Sequence, residues 1–458
     1  MFAVPGICAL IVFILARPQE FLQVLQRVPL LHLFTALAVF GWVIDVRLRR
    51  LQPIAAPTLP WVIALFAWAV ISVAAMAPDK LLGIGVELAI LFALYGTIAH
   101  GIQRFRTFQF VAGVTVATCL FITAICFHQG LAPLECVESD VGSLGTNGKS
   151  DGRSCVTSED CLGPDAIPGK EYRCEHIGLV GTHSVEERVR YRGELHDPNE
   201  VSLTISAGAL SLLIAFALRK RTVGSVVFCT LAIGVVVATI LMTKSRGGLI
   251  GGLMVPGLYL VRRYRLKALI PGVILAVALV MLTGRSGENA AVSTALRYEA
   301  WSVGLKMFEH SPIFGVGARQ FTEHHYITAH NSFVLTLAEM GFIGMFLFVG
   351  TLYMSFKTLL VGLRELAYVP GSAAVQTWGM ALLASLSGIV FQSNTLSFAY
   401  HSVLWIFLAL VGAWYSAIRH HADLRVRCGW KDIIAIGALC VTYAFVFLPV
   451  FLRYKGEL

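Results

Sequence analysis

The stretch NSFVLTLAEMGFIGMFLFVGTL, residues 331–352, carries one ionisable side chain, Glu339, in an otherwise apolar and small-residue run. Wound as an α-helix at 1.5 Å per residue it extends about 33 Å, enough to cross the roughly 30 Å hydrocarbon core of a bilayer. Comparable runs recur on either side, near 2–16, 28–46, 59–77, 81–99, 107–127, 198–217, 223–243, 247–261, 268–283, 376–394, 401–418 and 432–452. The composition agrees. Of the 458 residues 57% are hydrophobic and 14% charged, and the mean hydropathy is +0.73, more apolar surface than a soluble protein of this length hides in its cores. The expected fold is an all-α polytopic membrane protein with about 12–13 transmembrane helices and no room for a large soluble domain. The first run lacks a basic leader and a small-residue cleavage site, so it reads as a retained span.

Lysine and arginine orient these spans, because short loops rich in them stay in the cytoplasm. The clusters Arg47/Arg49/Arg50, Arg104/Arg106, Arg219/Lys220/Arg221, Arg262/Arg263/Arg265/Lys267, Lys357/Arg364 and Arg419/Arg425/Arg427/Lys431 each follow an even-numbered run. One alternating path with the N-terminus inside puts all of them on the cytoplasmic side. The net charge of +9 then reflects topology and contact with anionic membrane lipid, not nucleic acid. The same path divides the chain into N-terminal helices (1–127), an outer loop (128–197), central helices (198–283), a second outer loop (284–330) and C-terminal helices (331–458).

The two long outer segments are the places with space for a site. The first holds Cys136, Cys155, Cys161 and Cys174 within turn-rich sequence such as GTNGKSDGRSC. Four cysteines in one exposed loop suggest two disulfides formed in an oxidising compartment, with three pairings open. Zinc is the competing reading, and the spacing of Cys155 and Cys161 is too wide for the usual knuckle. The other six cysteines sit in or beside apolar runs as packing residues.

Three further stretches carry candidate chemistry. MTKSRGGLIGG, residues 242–252, places Lys244 and Arg246 at an outer helix end, against the positive-inside trend. Arg246 either snorkels to headgroups, with Gly247 and Gly248 breaking the helix, or joins freed backbone amides in an anion site. RYEAWSVGLKMFEHSPIFGVGARQF, residues 297–321, has helical apolar spacing at 301, 304, 305 and 308 before a Pro and Gly turn. It reads as a short surface helix with Trp301 at headgroup depth, and Arg297, Lys306 and Arg319 face either an anionic ligand or lipid. In AHNSFVLTLAEMGFIG, residues 329–344, Asn331 or Ser332 caps a helix, and His330 is either an interfacial residue or a general base. Glu339 lies inside the span, where a carboxylate is either paired with a cation or protonated. His324 and His325 are further candidates.

Taken in order, RYRGELHDPNEVS (190–202), TKSRGG, LRYEAW, SPIFGVGARQF and AHNSFVLTLAEMGFIG resemble the core of the O-antigen ligase and Wzy polymerase superfamily. The resemblance covers about 190–345, and the cysteine-bearing loop departs from the family's usual short connection. It implies a GT-C-like membrane glycosyltransferase of the bacterial inner membrane, with its site on the periplasmic face. The donor would be a glycan on a polyprenyl diphosphate and the acceptor a hydroxyl on lipid A-core, protein or glycan. It also implies His330 as the catalytic residue, Arg246, Arg297 and Arg319 as donor-diphosphate contacts, and Arg192, Asn199, Asn331 and Glu339 in support. The resemblance further implies one in-line displacement that inverts the anomeric centre; the chain has no Asp-x-Asp pairing and no P-loop, so arginines are expected in place of a metal, with no cofactor.

A transporter of lipid-linked sugars or another solute is the rival class. Its spans should carry deep ionisable residues or repeat symmetry, whereas Glu87 and Glu339 are nearly alone here. Within the enzyme class, ligase and Wzy-type polymerase differ in acceptor, and the short H-N-S-F segment leans toward a ligase.

Overall fold

The computed structural model describes the chain apart from residues 53–54, 141–148, 164–165, 168–169, 220–221, 284–287 and 420–423. Lys220 and Arg221 of the third basic cluster, the first residues of GTNGKSDGRSC and the start of the 284–330 segment lie outside the described residues.

Every expected span coincides with a helix: α1 (Ala3–Ala16), α2 (Leu30–Arg47), α3 (Leu59–Met76), α4 (Leu81–Gly101) and α5 (Phe105–Leu131). Next come α6 (Pro198–Leu218), α7 (Val223–Met242), α8 (Arg246–Tyr264) and α9 (Leu269–Thr283). After α10 (Glu288–His310) the chain forms α11 (Ser332–Leu366), α12 (Ala373–Gln392), α13 (Ser402–Ile418) and α14 (Trp430–Lys455). Among the described residues, 9 helices are long and apolar enough to cross a membrane, which makes this an all-α polytopic membrane protein. Of the remaining expected spans, α1 and α13 are apolar but shorter, α9 has 15 residues, and α8 carries Arg246, Arg262 and Arg263.

Three departures are physical. The segment before Pro312 is a 23-residue helix, not a short one. Helix α11, interrupted at Gly341, runs on through Lys357 and Arg364 to Leu366. The cysteine-bearing segment folds into a three-stranded antiparallel sheet of order β2-β1-β3, with β1 Leu134–Asp140, β2 Lys149–Ser154 and β3 Lys170–His176.

The chain forms two compact bodies. One comprises Met1–Leu10, Leu31–Ala112 and Ser286–Leu458. Its centre is α13, buried along its whole length and carrying the fully buried Trp405 and Trp414. Helices approach closely there through glycine: a Cβ at Gly379 or Gly362 would lie 2.5 or 2.7 Å from the Trp414 ring. Small residues supply such van der Waals packing where lipid removes the hydrophobic contrast between helix and solvent. Buried hydroxyls turn back on their own helix, as Thr351 donates to Leu347 O and Ser355 to Thr351 O, which satisfies them away from water.

The other body comprises Ile11–Leu30 and Gly113–Arg285. Helix α6 is its buried element, with a π-helical turn at Ser206–Ser211. Two disulfides, Cys136–Cys161 and Cys155–Cys174, close the small sheet around Tyr172.

Candidate functional site

In the first body His330 stands at the entrance to α11 with a left-handed backbone, φ 46°. Asn331 caps the helix, its Oδ1 accepting from Phe333 N at 2.9 Å and Val334 N at 3.2 Å. Its amide nitrogen donates to the Tyr443 hydroxyl at 3.0 Å. Ser332 follows, donating through Oγ to Leu396 O at 2.7 Å and accepting from Phe398 N at 2.8 Å. On the other side of the histidine, the Trp301 indole N–H donates to Ala329 O at 2.8 Å. The chain on either side of the half-buried His330 is thus bonded to a different element.

Trp301 lies on α10, and Arg297 stands one helical turn before it. Residues four apart share a helix face, so Arg297 projects from the face that meets the His330 segment. Of the extra candidates, His324 is exposed, while His325 is turned to Ile327 O at 3.0 Å and lies 3.5 Å from Glu299 Oε1.

Helix α11 breaks at Gly341, φ 64° and ψ −166°. The SPIFGVGARQF segment docks into this break: Phe342 N donates to Pro312 O, Val316 N to Ala338 O and Gly317 N to Glu339 O, all between 2.8 and 2.9 Å. A Cβ on Gly341 would lie 2.2 Å from Ile313 O and one on Gly315 2.3 Å from the Glu339 carbonyl carbon, so both positions require glycine. The Glu339 carboxylate accepts from Arg319 N at 2.9 Å and Phe321 N at 3.0 Å. The Arg319 guanidinium meets Glu87 at 3.1 Å and lies over the Tyr400 ring at 5.2 Å. Glu339 and Glu87 therefore both attend Arg319, the first at its backbone and the second at its side chain.

In the second body the P-N and S-R-G-G stretches meet. Asp197 caps α6 with a capping box to Glu200. Asn199 Oδ1 accepts from Ser245 Oγ at 2.6 Å and from Arg188 at 3.3 Å, and Arg188 Nε donates to Thr243 O at 3.0 Å. Ser245 caps α8, accepting from Gly248 N at 2.9 Å. Gly247 and Gly248 do not break a helix; they begin one. A Cβ at Gly248 would come within 2.1 Å of Ser202 Oγ, so its absence lets α8 approach α6. Arg246 is the first residue of α8 and exposed, at the positive dipole end of that helix. Lys244 pairs with Glu187 at 2.9 Å, and that hydrogen bond holds the Glu187 carboxyl below its ordinary range.

Arg192 donates to Glu20 O at 2.9 Å and Val180 O at 2.6 Å. Residues that the sequence reading passed over are Tyr443, 112 positions from its partner and without a local signal, and Arg190, which opens the R-x-x-G pattern and is 5% exposed. Arg190 Nε donates to His183 O at 3.0 Å. Behind it the buried Glu175 accepts from the Ser184 hydroxyl and the amides of Glu186 and Glu187. As for metal ligands, the sulfurs of Cys136, Cys155 and Cys161 lie within 4.8 Å of one another, but all are in disulfides and present no thiolate.

Residues 231–349 match the family model described as O-antigen ligase, Wzy_C. No curated protein matches the chain. The matched stretch takes in S-R-G-G, R-x-x-x-W, SPIFGVGARQF and the His330 turn, and the family is one of membrane glycosyltransferases acting on lipid-linked glycans.

Proposed function

We propose, from the match of residues 231–349 to the O-antigen ligase family model, that the chain moves a glycan from a polyprenyl-diphosphate lipid to an acceptor hydroxyl at the outer face of the bacterial inner membrane. His330 aligns the acceptor hydroxyl and takes its proton as the oxygen attacks the anomeric carbon. The bond from that carbon to the diphosphate oxygen breaks on the opposite face, and polyprenyl diphosphate leaves with the electron pair. One in-line displacement inverts the anomeric centre. Arg297 and Arg319 stabilise the charge that grows on the leaving diphosphate. Arg246 has the same donor role on the resemblance alone. The acceptor is of the ligase type, lipid A-core or protein; the polymerase alternative uses the end of another lipid-linked repeat.

The observation that carries this reading is the hydrogen bond from Trp301 to Ala329 O, which ties the helix bearing Arg297 to the turn bearing His330. The test is transfer by purified, reconstituted protein from a polyprenyl-diphosphate glycan in the presence of EDTA. Wild type should label an acceptor, while His330→Ala and Arg297→Ala should lose at least 100-fold, on the order of a general base or a charge-stabilising contact. A His330→Ala protein that transfers at the wild-type rate overturns the catalytic assignment. Labelling of a lipid-linked repeat in place of a core or protein acceptor selects the polymerase.

A further inference from the structure

The second body holds a cleft of about 520 Å³, lined by Glu20, Thr182, His183, Arg190, Arg192 and His196 among others; none of these residues carries a step in the proposed transfer, in which the family resemblance implies only support from Arg192. Its size suits one or two sugar rings, and its polar lining is costly to cover with a lipid tail.

The guanidinium of Arg192 is set into this wall. Its two terminal nitrogens donate to the neutral carbonyls of Glu20 and Val180, while its Nε is buried with no partner. No carboxylate lies within ion-pair range of it among the described residues, and the carboxylate of the lining Glu20 is engaged by Arg17 at 3.0 Å. Gly181, φ 72°, lies flat beneath it: a Cβ there would sit 2.6 Å from Arg192 Nη2. Arg190 adds a second guanidinium, anchored through its backbone N–H to Gln129 Oε1 at 2.9 Å. The buried His183 ring senses the resulting field, since burial and then the charges of Arg190, Arg192 and Arg173 push it down to about 4. A neutral imidazole beside guanidinium charge leaves the cleft cationic at neutral pH.

We propose that this cleft is a binding site for an anionic saccharide, its carboxylate or phosphate held at Arg192 and its hydroxyls met by the surrounding polar lining. Charge-assisted hydrogen bonds to a guanidinium are about twice as strong as neutral ones, so the anion sets the affinity and the ring sets the fit.

The test is calorimetric titration of the full chain in lipid nanodiscs with glucuronic acid, glucose 1-phosphate, glucose and inorganic phosphate. At least one of the two acidic sugars should bind ten-fold or more tightly than glucose and than inorganic phosphate, and the tighter of them identifies the anion. Arg192→Gln should weaken that sugar ten-fold or more. Because Arg192 also braces two backbone segments, a second variant, His196→Glu, places a negative charge at the exposed rim and should weaken binding several-fold with the melting temperature unchanged. Equal binding of glucose overturns the anion site, and equal binding of inorganic phosphate overturns the saccharide. Wild-type affinity in folded His196→Glu and Arg192→Gln overturns both. Binding is read without turnover, so this result and the transfer assay fail separately.

Discussion

A left-handed backbone at a residue with a side chain costs on the order of 1–3 kcal/mol, and three such residues, Lys244, Arg319 and His330, stand in the stretches to which the proposed chemistry is assigned. Each is over-determined by its neighbours. Lys244 precedes the Ser245 cap, Arg319 N is held by Glu339, and His330 lies between Ala329 and Asn331. The histidine's identity was plain in the sequence, as was a cap at Asn331 or Ser332; the choice between them needed the hydrogen bonds, because either side chain can accept from a helix start. Residue scale also sets a pH dependence. His183 is held near 4 in the fold against about 6.5 in an unfolded chain. Its folded value is depressed, so the stability it contributes is fully present above pH ~6.5 and is lost as pH falls toward 4, by up to about 3 kcal/mol. Melting temperatures of the purified protein should fall over that window, and His183→Asn should flatten the fall; an unchanged slope would show that His183 does not carry it.

At the scale of elements, the break in α11 and the segment docked into it form one device. Periodicity located the span, and SPIFGVGARQF announced a turn, yet nothing local says that the turn's backbone amides end on a carboxylate eighteen or twenty residues downstream. Glu339 reads in the sequence as a costly lone charge; in the fold it replaces water as the acceptor for two backbone donors. Glu339→Ala should leave both unsatisfied and cost roughly 2–4 kcal/mol. Hydrogen exchange should then quicken over 313–321 while the centre of α13 stays protected, and Glu339→Gln, which keeps an acceptor oxygen, should lie between. Uniform quickening through α13 would mean that Glu339 supports the whole body and not this segment.

For the whole molecule, the division between sequence and structure follows the range of the forces involved. Mass-spectrometric mapping of unreduced protein should recover Cys136–Cys161 and Cys155–Cys174. Reduction should unfold the small sheet, whose buried cluster is Cys136, Cys161, Tyr172 and Cys174, since small units with so little core depend on their bridges. Recovery of Cys136–Cys155 or Cys136–Cys174 instead would refute this sheet. Four cysteines in one loop declared a disulfide framework but left three pairings, because connectivity depends on which strands become neighbours. Hydropathy by itself determined the class of the protein and nearly every helix, because transfer of a span into hydrocarbon depends on that span's own residues. The order of motifs by itself marked out His330, Arg246 and Arg297. Only the tertiary structure decided that Trp301 holds the backbone beside His330, that Asn199 meets Ser245, that Glu87 and Glu339 converge on Arg319 and that a cationic cleft forms around Arg192. These are hydrogen bonds and ion pairs between groups far apart in the chain, made only when packing brings them within about 3 Å of each other.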